Sequence, residues 1–432
     1  MRVSVRSYDA RRARALQETL AAGGVEAVAL VGPLPSRTHL SDDIALIDAA
    51  PEAFAWAEEE ARRIARSANR PTSIVAASRS GDPPVDDATA FDAWVQIDAP
   101  DGVIERELVS IQRHSAARTE LLRRIETARA RGVASSASEP NGPWRALYIG
   151  EPSPFFLAQE RAFEAVDGKL EAAFSSFMGF DFLHDSRFDA VTLNATNDAA
   201  TALALCGALR RNARLHHLPT AVIVKRGDTA TIVGAVDRGA TLIVHADEAP
   251  EPTLHWLFEK VRRGRRHAHV EAGLAAVKRV CVGPGGLFNS DYFADHLTRL
   301  ADAAHISGRP LTVAALRICL APGARTRSAT AWDRSVVQIG ELAGRLVRAH
   351  DAASLLQDDI IVIALPGSHA EEGRHAAKRV SSVVECTSFA SGEGAAGPIV
   401  LEHSVVELNP GEGGGAFLAR ALDPFPAEGV RA

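Results

Sequence analysis

The chain has 432 residues, of which 46% are hydrophobic and 24% charged, enough apolar side chain for roughly two to four globular domains. Its formal net charge of −6 excludes a bulk attraction to DNA or to acidic membranes. Neither a signal-peptide pattern nor a run of about 18 apolar residues is present, so we expect a cytoplasmic protein. We expect no metal and no cofactor. The four cysteines form no C-x-x-C pair, so neither a zinc knot nor a disulfide framework is indicated: Cys206, Cys281, Cys319 and Cys386.

Residues 1–130 alternate short apolar runs with amphipathic stretches, a pattern that favours a parallel sheet covered by helices on both faces. Strands are predicted at Val3–Ser7, Val25–Val31, Ile44–Asp48, Ser73–Ala77 and Ala93–Ile97. Helices are predicted at Arg11–Ala22, Glu52–Ala68 and Asp101–Ala130. The stretch Ala134–Pro143 is rich in Ser, Pro and Gly, which predicts a linker across residues 131–144.

The same alternation of apolar runs and amphipathic stretches begins again at Arg145, so residues 145–275 are predicted to be a second copy of an α/β unit of about 120 residues. Its strands are predicted at Ala146–Ile149, Ala190–Leu193, Ala221–Val224 and Thr241–Val244. An amphipathic helix at Pro252–Leu274 closes this unit.

A third unit, residues 276–432, is organised differently. Strands are predicted at Leu311–Leu320, Ile360–Leu365 and Ser404–Leu408, with helices at Ser335–Ala349 and Glu371–Val384. A glycine-rich break at Gly392–Gly397 precedes the last strand. This order predicts a sheet with helices packed against it.

Four stretches together resemble the PopA/PleD-like response-regulator family, whose members have the order receiver, receiver, GGDEF. They are FDAVTLNA (Phe188–Ala195), LPTAVIV (Leu218–Val224), GLFNSDYF (Gly286–Phe293) and the stretch Ile360–Val380. The resemblance implies an α/β fold with two degenerate flavodoxin-like (CheY-like) receiver domains with parallel sheets, at 1–130 and 145–275. It implies a degenerate GGDEF (nucleotidyl-cyclase-like) α/β domain at 276–432.

The catalytic positions of the cyclase family have mostly been replaced. The resemblance places the GGDEF motif on Gln357-Asp358-Asp359-Ile360-Ile361, which lacks both glycines. The strand that carries the family's other metal-binding Asp holds Arg317 instead, and the guanine-reading Asn falls near Ala324, while Asp333 survives. Cyclisation needs carboxylates to hold metal ions on the phosphates, so we predict that the chain is not an enzyme. The alternative is an active diguanylate cyclase in which Asp358 and Asp359 hold the metal.

A ligand-binding motif of the same family remains. Arg348-Ala349-His350-Asp351 is an R-x-x-D sequence where the family binds cyclic di-GMP at its inhibitory site, and the family's third ligand-contacting residue falls on Arg379. A guanidinium fork can donate two hydrogen bonds to guanine or phosphate, and a carboxylate can accept from the opposite guanine edge. The resemblance therefore implies a cyclic di-GMP receptor. The alternatives are an ordinary i, i+3 pair on a solvated helix end and a scaffold that binds no nucleotide.

The two receiver-like units have incomplete phosphorylation sites. Asp48 ends the third predicted strand and is the candidate phosphoacceptor, but the family's acidic pair is replaced by Ser7-Tyr8, with Asp9 one position late. The alternative is a strand-end Asp that caps a loop. Asn194 stands at the acceptor position of the second unit and cannot be phosphorylated, so the resemblance implies a packing and dimerisation adaptor, and thus a homodimer.

The resemblance also implies protein partners. It suggests recruitment to the cell pole and, with RcdA, delivery of CtrA to the ClpXP protease during the cell cycle. We expect no nucleic-acid partner and no membrane insertion.

Overall fold

The computed structural model describes residues 2–32, 43–66, 72–85, 90–100, 102–133, 142–212, 214–323, 329–357, 359–387, 389 and 398–425. Most of the predicted linker and the whole glycine-rich break at 392–397 lie outside these residues. The chain divides into two compact units: unit 1 is Met1–Ser115 with Glu139–His269, and unit 2 is Ala116–Ser138 with Val270–Ala432. The domain boundaries proposed from the sequence stay a prediction. No described helix is long and apolar enough to cross a membrane.

The first sheet of unit 1 is entirely parallel. Its strands are β1 (Val3–Ser7), β2 (Ala27–Val31), β3 (Ile44–Asp48), β4 (Ser73–Ser78) and β5 (Ala93–Gln96), in the order β2-β1-β3-β4-β5. The helices that follow its strands are α1 (Ala10–Ala22), α2 (Phe54–Ala65) and α3 (Val103–Ala130). The strand order 2-1-3-4-5 of this sheet is the order found in the flavodoxin-like doubly wound fold.

The second sheet of unit 1 repeats this topology. Its strands are β6 (Arg145–Ile149), β7 (Lys169–Ala173), β8 (Ala190–Asn194), β9 (Thr220–Val224) and β10 (Leu242–His245), all parallel in the order β10-β9-β8-β6-β7. Its helices are α4 (Pro154–Glu164), α5 (Ser176–Asp185), α6 (Ala199–Arg211), α7 (Thr229–Asp237) and α8 (Pro250–Val280). The predicted fold class, α/β with two flavodoxin-like parallel sheets, is confirmed.

One hydrophobic core is shared by the two sheets of unit 1. It contains Ile47 and Trp94 from the first sheet together with Tyr148 and Trp256 from the second half. The indole N–H of the fully buried Trp256 donates to the carbonyl of Ser80 at 3.1 Å, so this large side chain has a polar partner as well as an apolar one.

Unit 2 is built on an antiparallel sheet. Its strands are β11 (Leu311–Leu320), β12 (Ala352–Leu356), β13 (Ile360–Pro366) and β14 (Ile399–Glu407), in the order β12-β13-β11-β14. Its helices are α9 (Ser290–Ser307), α10 (Ala329–Leu346), α11 (Ala370–Glu385) and α12 (Gly414–Leu422). Residues 116–130 of α3 and 270–280 of α8 also belong to this unit.

Both faces of the unit 2 sheet are covered, which explains why β11 and β13 are almost continuously apolar. Val313 and Ala315 of β11 join a core with α9 and α12, whereas Ala314 and Leu316 join a second core with α10 and α11. This alternation is the two-residue period of a strand. The sheet therefore holds α10 and α11 side by side on one face.

Candidate functional site

The predicted ligand motif forms a tight turn between α10 and β12, which we name the RxxD turn (residues 348–351). The backbone N–H of Asp351 donates to the carbonyl of Arg348 at 3.0 Å, and the backbone N–H of Arg348 donates to Oδ2 of Asp351 at 2.8 Å. The Asp351 carboxylate thus closes its own turn, as short polar side chains do at helix ends.

Asp351 is buried, with a side chain only 2% exposed, and its Oδ1 atom has no hydrogen-bond partner. The Nε2 atom of His350 lies 4.0 Å from this oxygen. Burial raises the pKa of Asp351 to about 6, although the bond from the Arg348 N–H and the positive charges of Arg348 and Arg124 act in the opposite direction.

Arg379 on α11 reaches the same end of α10. Its Nη2 atom donates to the carbonyl of Leu346, the last residue of α10, at 2.9 Å. Such a bond satisfies one of the carbonyls that a helix leaves unpaired at its C-terminus. The structure therefore brings Arg348, Asp351 and Arg379 to one place, with both arginines exposed.

The arginine and the carboxylate of the motif do not clasp each other here. In the described part of the chain, no ion pair joins the Arg348 guanidinium to Asp351, whose carboxylate faces the turn. Their role in binding stays a prediction. Sequence reasoning missed Arg124, which donates from Nη2 to the Asp351 carbonyl at 2.9 Å, because 227 residues separate the two.

An ion pair lies at the segment where the sequence analysis placed the GGDEF motif. Nε of Arg317 on β11 lies 3.3 Å from Oδ2 of Asp359, and the two side chains are 15% and 26% exposed. Gln357 has a left-handed φ of 53°, a backbone conformation that favours glycine. Asp358 and Ala324 lie outside the described residues. Asp333 lines a shallow depression on α10 with Thr330 and Val337.

Among the described residues, no group of three or more His, Cys, Asp and Glu side chains is arranged to hold a metal ion. Two of the carboxylates that could serve a cation are engaged with arginines instead. Asp359 pairs with Arg317, and Asp48 of β3 pairs with Arg12 of α1. A guanidinium in contact with a carboxylate offsets the negative charge that would attract Mg²⁺.

The candidate phosphoacceptor Asp48 is 1% exposed and lies at the carboxyl end of β3. Its Oδ2 accepts from Nε of Arg12 at 2.6 Å and from the hydroxyl of Ser7 at 2.9 Å, and its Oδ1 accepts from Nη2 of Arg12 at 2.8 Å. Asp9 caps α1 by accepting from the backbone N–H groups of Arg11 and Arg12. The Asp9 carboxylate, which the sequence offered as a cation ligand, therefore has a structural role as a helix cap.

Asn194 occupies the corresponding position of the second sheet. Its Nδ2 donates to the carbonyl of Glu151 at 2.8 Å, and its Oδ1 accepts from the backbone N–H and the hydroxyl of Thr196 at 3.0 and 2.8 Å. All of these contacts are local to the carboxyl ends of β6 and β8. The side-chain amide of Asn194 thus links the loop after β6 to the loop after β8.

Comparison with known proteins gave matches among solved structures only. No family model and no curated protein matches the chain. The GGDEF domain of DgcB from Caulobacter crescentus in complex with c-di-GMP is 17% identical, with 33% of this chain and 82% of that chain covered and a TM-score of 0.29. The FimX GGDEF domain from Pseudomonas aeruginosa is 20% identical, with coverages of 33% and 90% and a TM-score of 0.30. A response regulator from Thermotoga maritima is 19% identical, with coverages of 28% and 99% and a TM-score of 0.26.

Proposed function

We propose that this chain is a receptor for cyclic di-GMP that binds the ligand at Arg348, Asp351 and Arg379 and has no cyclase activity. One observation carries the proposal: two separate parts of the sequence, the RxxD turn and Arg379 of α11, meet at the C-terminal end of α10. Arg379 contacts the carbonyl of Leu346, two residues before Arg348, and Asp351 closes the turn that starts at Arg348.

The chemistry of the three residues suits a guanine dinucleotide. The exposed guanidinium of Arg348 is available to donate two parallel hydrogen bonds to guanine O6 and N7, a geometry that lysine cannot reproduce. Arg379 can pair with a phosphate while its carbon stem rests on the end of α10. Asp351 can accept from guanine N1 and N2 once its carboxylate leaves the backbone N–H of Arg348.

The lack of cyclase activity is supported by the Arg317–Asp359 ion pair. A cyclase must concentrate positive charge from metal ions on the transferring phosphates, and carboxylates hold those ions. Here Asp359, a carboxylate of the segment assigned to the motif, is paired with Arg317 at 3.3 Å. With GTP and Mg²⁺, we expect no cyclic di-GMP under conditions in which an active diguanylate cyclase forms it. Detection of that product by chromatography would contradict this part of the proposal.

The proposed output is a change in protein contacts. The family resemblance suggests RcdA, the ClpXP pathway and CtrA as partners of a cytoplasmic receptor that is recruited to the cell pole, with a homodimer formed through the receiver-like sheets. These partners rest on the resemblance alone. A pull-down with and without cyclic di-GMP tests them. Capture of RcdA only in the presence of the ligand supports this output, and failure to capture RcdA under either condition argues against it.

Titration calorimetry of the full chain with cyclic di-GMP tests the receptor proposal. We expect binding by the wild type and at least a roughly tenfold loss in Arg348→Ala and Arg379→Ala, because each change removes a charge-assisted contact. Arg345→Ala is the matched control, since this exposed arginine lies in the last turn of the same helix outside the predicted site. If the wild type gives no heat of binding, the receptor proposal is wrong.

A further inference from the structure

A buried charge network lies within unit 2, formed by residues that the sequence analysis did not single out. Nε of Arg124 donates to Oε1 of Glu120 at 2.7 Å, and Nε2 of His296 lies 2.7 Å from the same oxygen. All three side chains are 3% exposed or less. Burial raises the pKa of Glu120, but the charges of His296 and Arg124 outweigh it and lower the pKa to about 2.

Arg124 extends this network to the RxxD turn. While its Nε binds Glu120, its Nη2 donates to the main-chain carbonyl of Asp351 at 2.9 Å. Its guanidinium also lies over the ring of Phe288, 5.0 Å from the centroid. One planar group therefore holds the end of the RxxD turn against α3.

Phe288 fixes the first residues of β12 on the other side of this arginine. Its backbone N–H donates to the carbonyl of Ala353 at 2.9 Å, and its own carbonyl accepts from the hydroxyl of Ser354 at 2.8 Å. The main chain after Asp351 is thus anchored at successive positions. Within the described part of the chain, one hydrogen bond holds the side chain of Asp351, from the backbone N–H of Arg348.

Two buried carboxylate oxygens in this region lack partners: Oδ1 of Asp351 and Oε2 of Glu120. A buried polar atom without a partner is unfavourable, so the inward position of the Asp351 carboxylate is incompletely satisfied. The fixed main chain and the poorly satisfied side chain together favour rotation of the carboxylate without movement of the strand.

We propose that Arg124 is the positioning residue of the cyclic di-GMP site, holding the Asp351 main chain while the Asp351 carboxylate turns outward to the guanine. This inference rests on the proposed function. The fork of arginine suits the task because it binds Glu120 and the Asp351 carbonyl at once, whereas lysine carries one compact charge. Occupancy of the site then changes the surroundings of Arg124 on α3.

The charged groups around Asp351 make the proposal measurable through pH. Arg348 and His350 face it from its own turn, and Arg124 and Glu120 face it from α3. Guanine N1 and N2 need the deprotonated carboxylate, so affinity falls as pH drops through the pKa of Asp351. Arg124→Gln removes a positive charge that lowers this pKa, so the midpoint of the affinity profile moves to higher pH.

The test is calorimetry with cyclic di-GMP across a pH series on the full chain, for wild type, Arg124→Lys and Arg124→Gln. We expect both variants to bind about tenfold or more weakly, and Arg124→Gln to show the shifted midpoint. Thr127→Val is the matched control: it removes the contact of the Thr127 hydroxyl with Nδ1 of His296 at 3.1 Å, on the same buried helix face, and leaves the RxxD turn untouched. Its affinity stays close to that of the wild type even where its melting temperature falls.

The outcomes separate the two proposals. Absence of wild-type binding removes the receptor function itself. Wild-type binding that is lost in Arg348→Ala but unchanged in both Arg124 variants overturns the positioning role alone. Should the Arg124 variants not fold, the side-chain Nε–H resonance of Arg124 in the wild type decides: it shifts on ligand addition if the inference holds, and an unchanged resonance overturns it.

Discussion

Arg12 holds Asp48 through two hydrogen bonds, with its Nε 2.6 Å from Oδ2 and its Nη2 2.8 Å from Oδ1 of the carboxylate. The pKa of Arg12 is raised, chiefly by this bond. The arrangement places a permanent cation at the carboxyl end of β3, beside the residue that the sequence offered as a phosphoacceptor. Asp48 is buried and Arg12 is about one-third exposed. Loss of the contact therefore costs more free energy at the carboxylate, which water cannot reach, than at the arginine.

Arg12→Ala should destabilise unit 1. The change leaves the Asp48 carboxylate buried with only the Ser7 hydroxyl and a long bond from the Ala50 backbone, which costs about 1–3 kcal/mol. Thermal melting checks this against Arg11→Ala, an exposed neighbour whose side chain is not part of the contact. Equal melting temperatures for the two variants would show that the Arg12–Asp48 pair contributes nothing.

Asp48 should resist phosphorylation by acetyl phosphate in the presence of Mg²⁺. Phosphoryl transfer to an aspartate needs a free carboxylate oxygen and a divalent cation beside it, and both Asp48 oxygens are bound by Arg12. Intact mass spectrometry measures the adduct, with Asp48→Asn as the blank. A phosphate-sized mass increase in the wild type and none in Asp48→Asn would establish Asp48 as a functional acceptor.

Asp351→Asn should gain stability relative to the wild type as pH rises. The pKa of Asp351 is raised from 3.8 to about 6 in the folded chain, so between these values the folded state holds a proton that the unfolded state has lost. The wild type therefore loses stability as pH rises through this window, by about 2–3 kcal/mol. The asparagine variant lacks this loss.

Melting temperatures at about pH 5 and about pH 7.5 check the Asp351→Asn prediction, since the difference between variant and wild type should grow over this interval. A difference that stays constant would show that the carboxyl is not protonated in the folded chain near pH 5.

The same variant should bind cyclic di-GMP weakly, because an amide cannot accept from both guanine N1 and N2.

Gly285→Ala should be more destabilising than Gly286→Ala. Both glycines have left-handed φ values, 66° and 64°, so both variants strain the backbone. A Cβ on Gly285 would also lie 2.9 Å from Cα of Gly340 on α10, whereas a Cβ on Gly286 meets nothing within 4 Å. We expect about 1–3 kcal/mol for the first and about 1 kcal/mol for the second, measured by thermal melting. Equal losses would show that the approach to α10 is not tight.

The sequence by itself determined the buried strands and the long amphipathic helices. β1, β3 and β11 have the bounds predicted for them, and β3 and β11 are mostly apolar because both of their faces are buried. Two strands received no predicted range: β7, an edge strand with an exposed lysine, and β12, a short strand after the RxxD turn. Edge positions are half-exposed and leave a weak pattern.

Helix α9 received no predicted range, although its signal is present. Asn289 caps it by accepting from the backbone N–H of Tyr292, and Gly308 ends it with a φ of 66°. Phe293, Leu297 and Leu300 are buried at helical spacing.

Only the tertiary structure determined which partner each buried charged group contacts. Arg12 meets Asp48 across 36 residues and Arg124 meets the Asp351 carbonyl across 227, and no local pattern encodes either distance. The sequence could name Arg348, Asp351 and Arg379 together, but the inward turn of the Asp351 carboxylate depends on packing around α10 and β12. Apolar periodicity is set by neighbours along the chain, whereas a buried charge is stabilised by whichever partner the fold brings within hydrogen-bond distance.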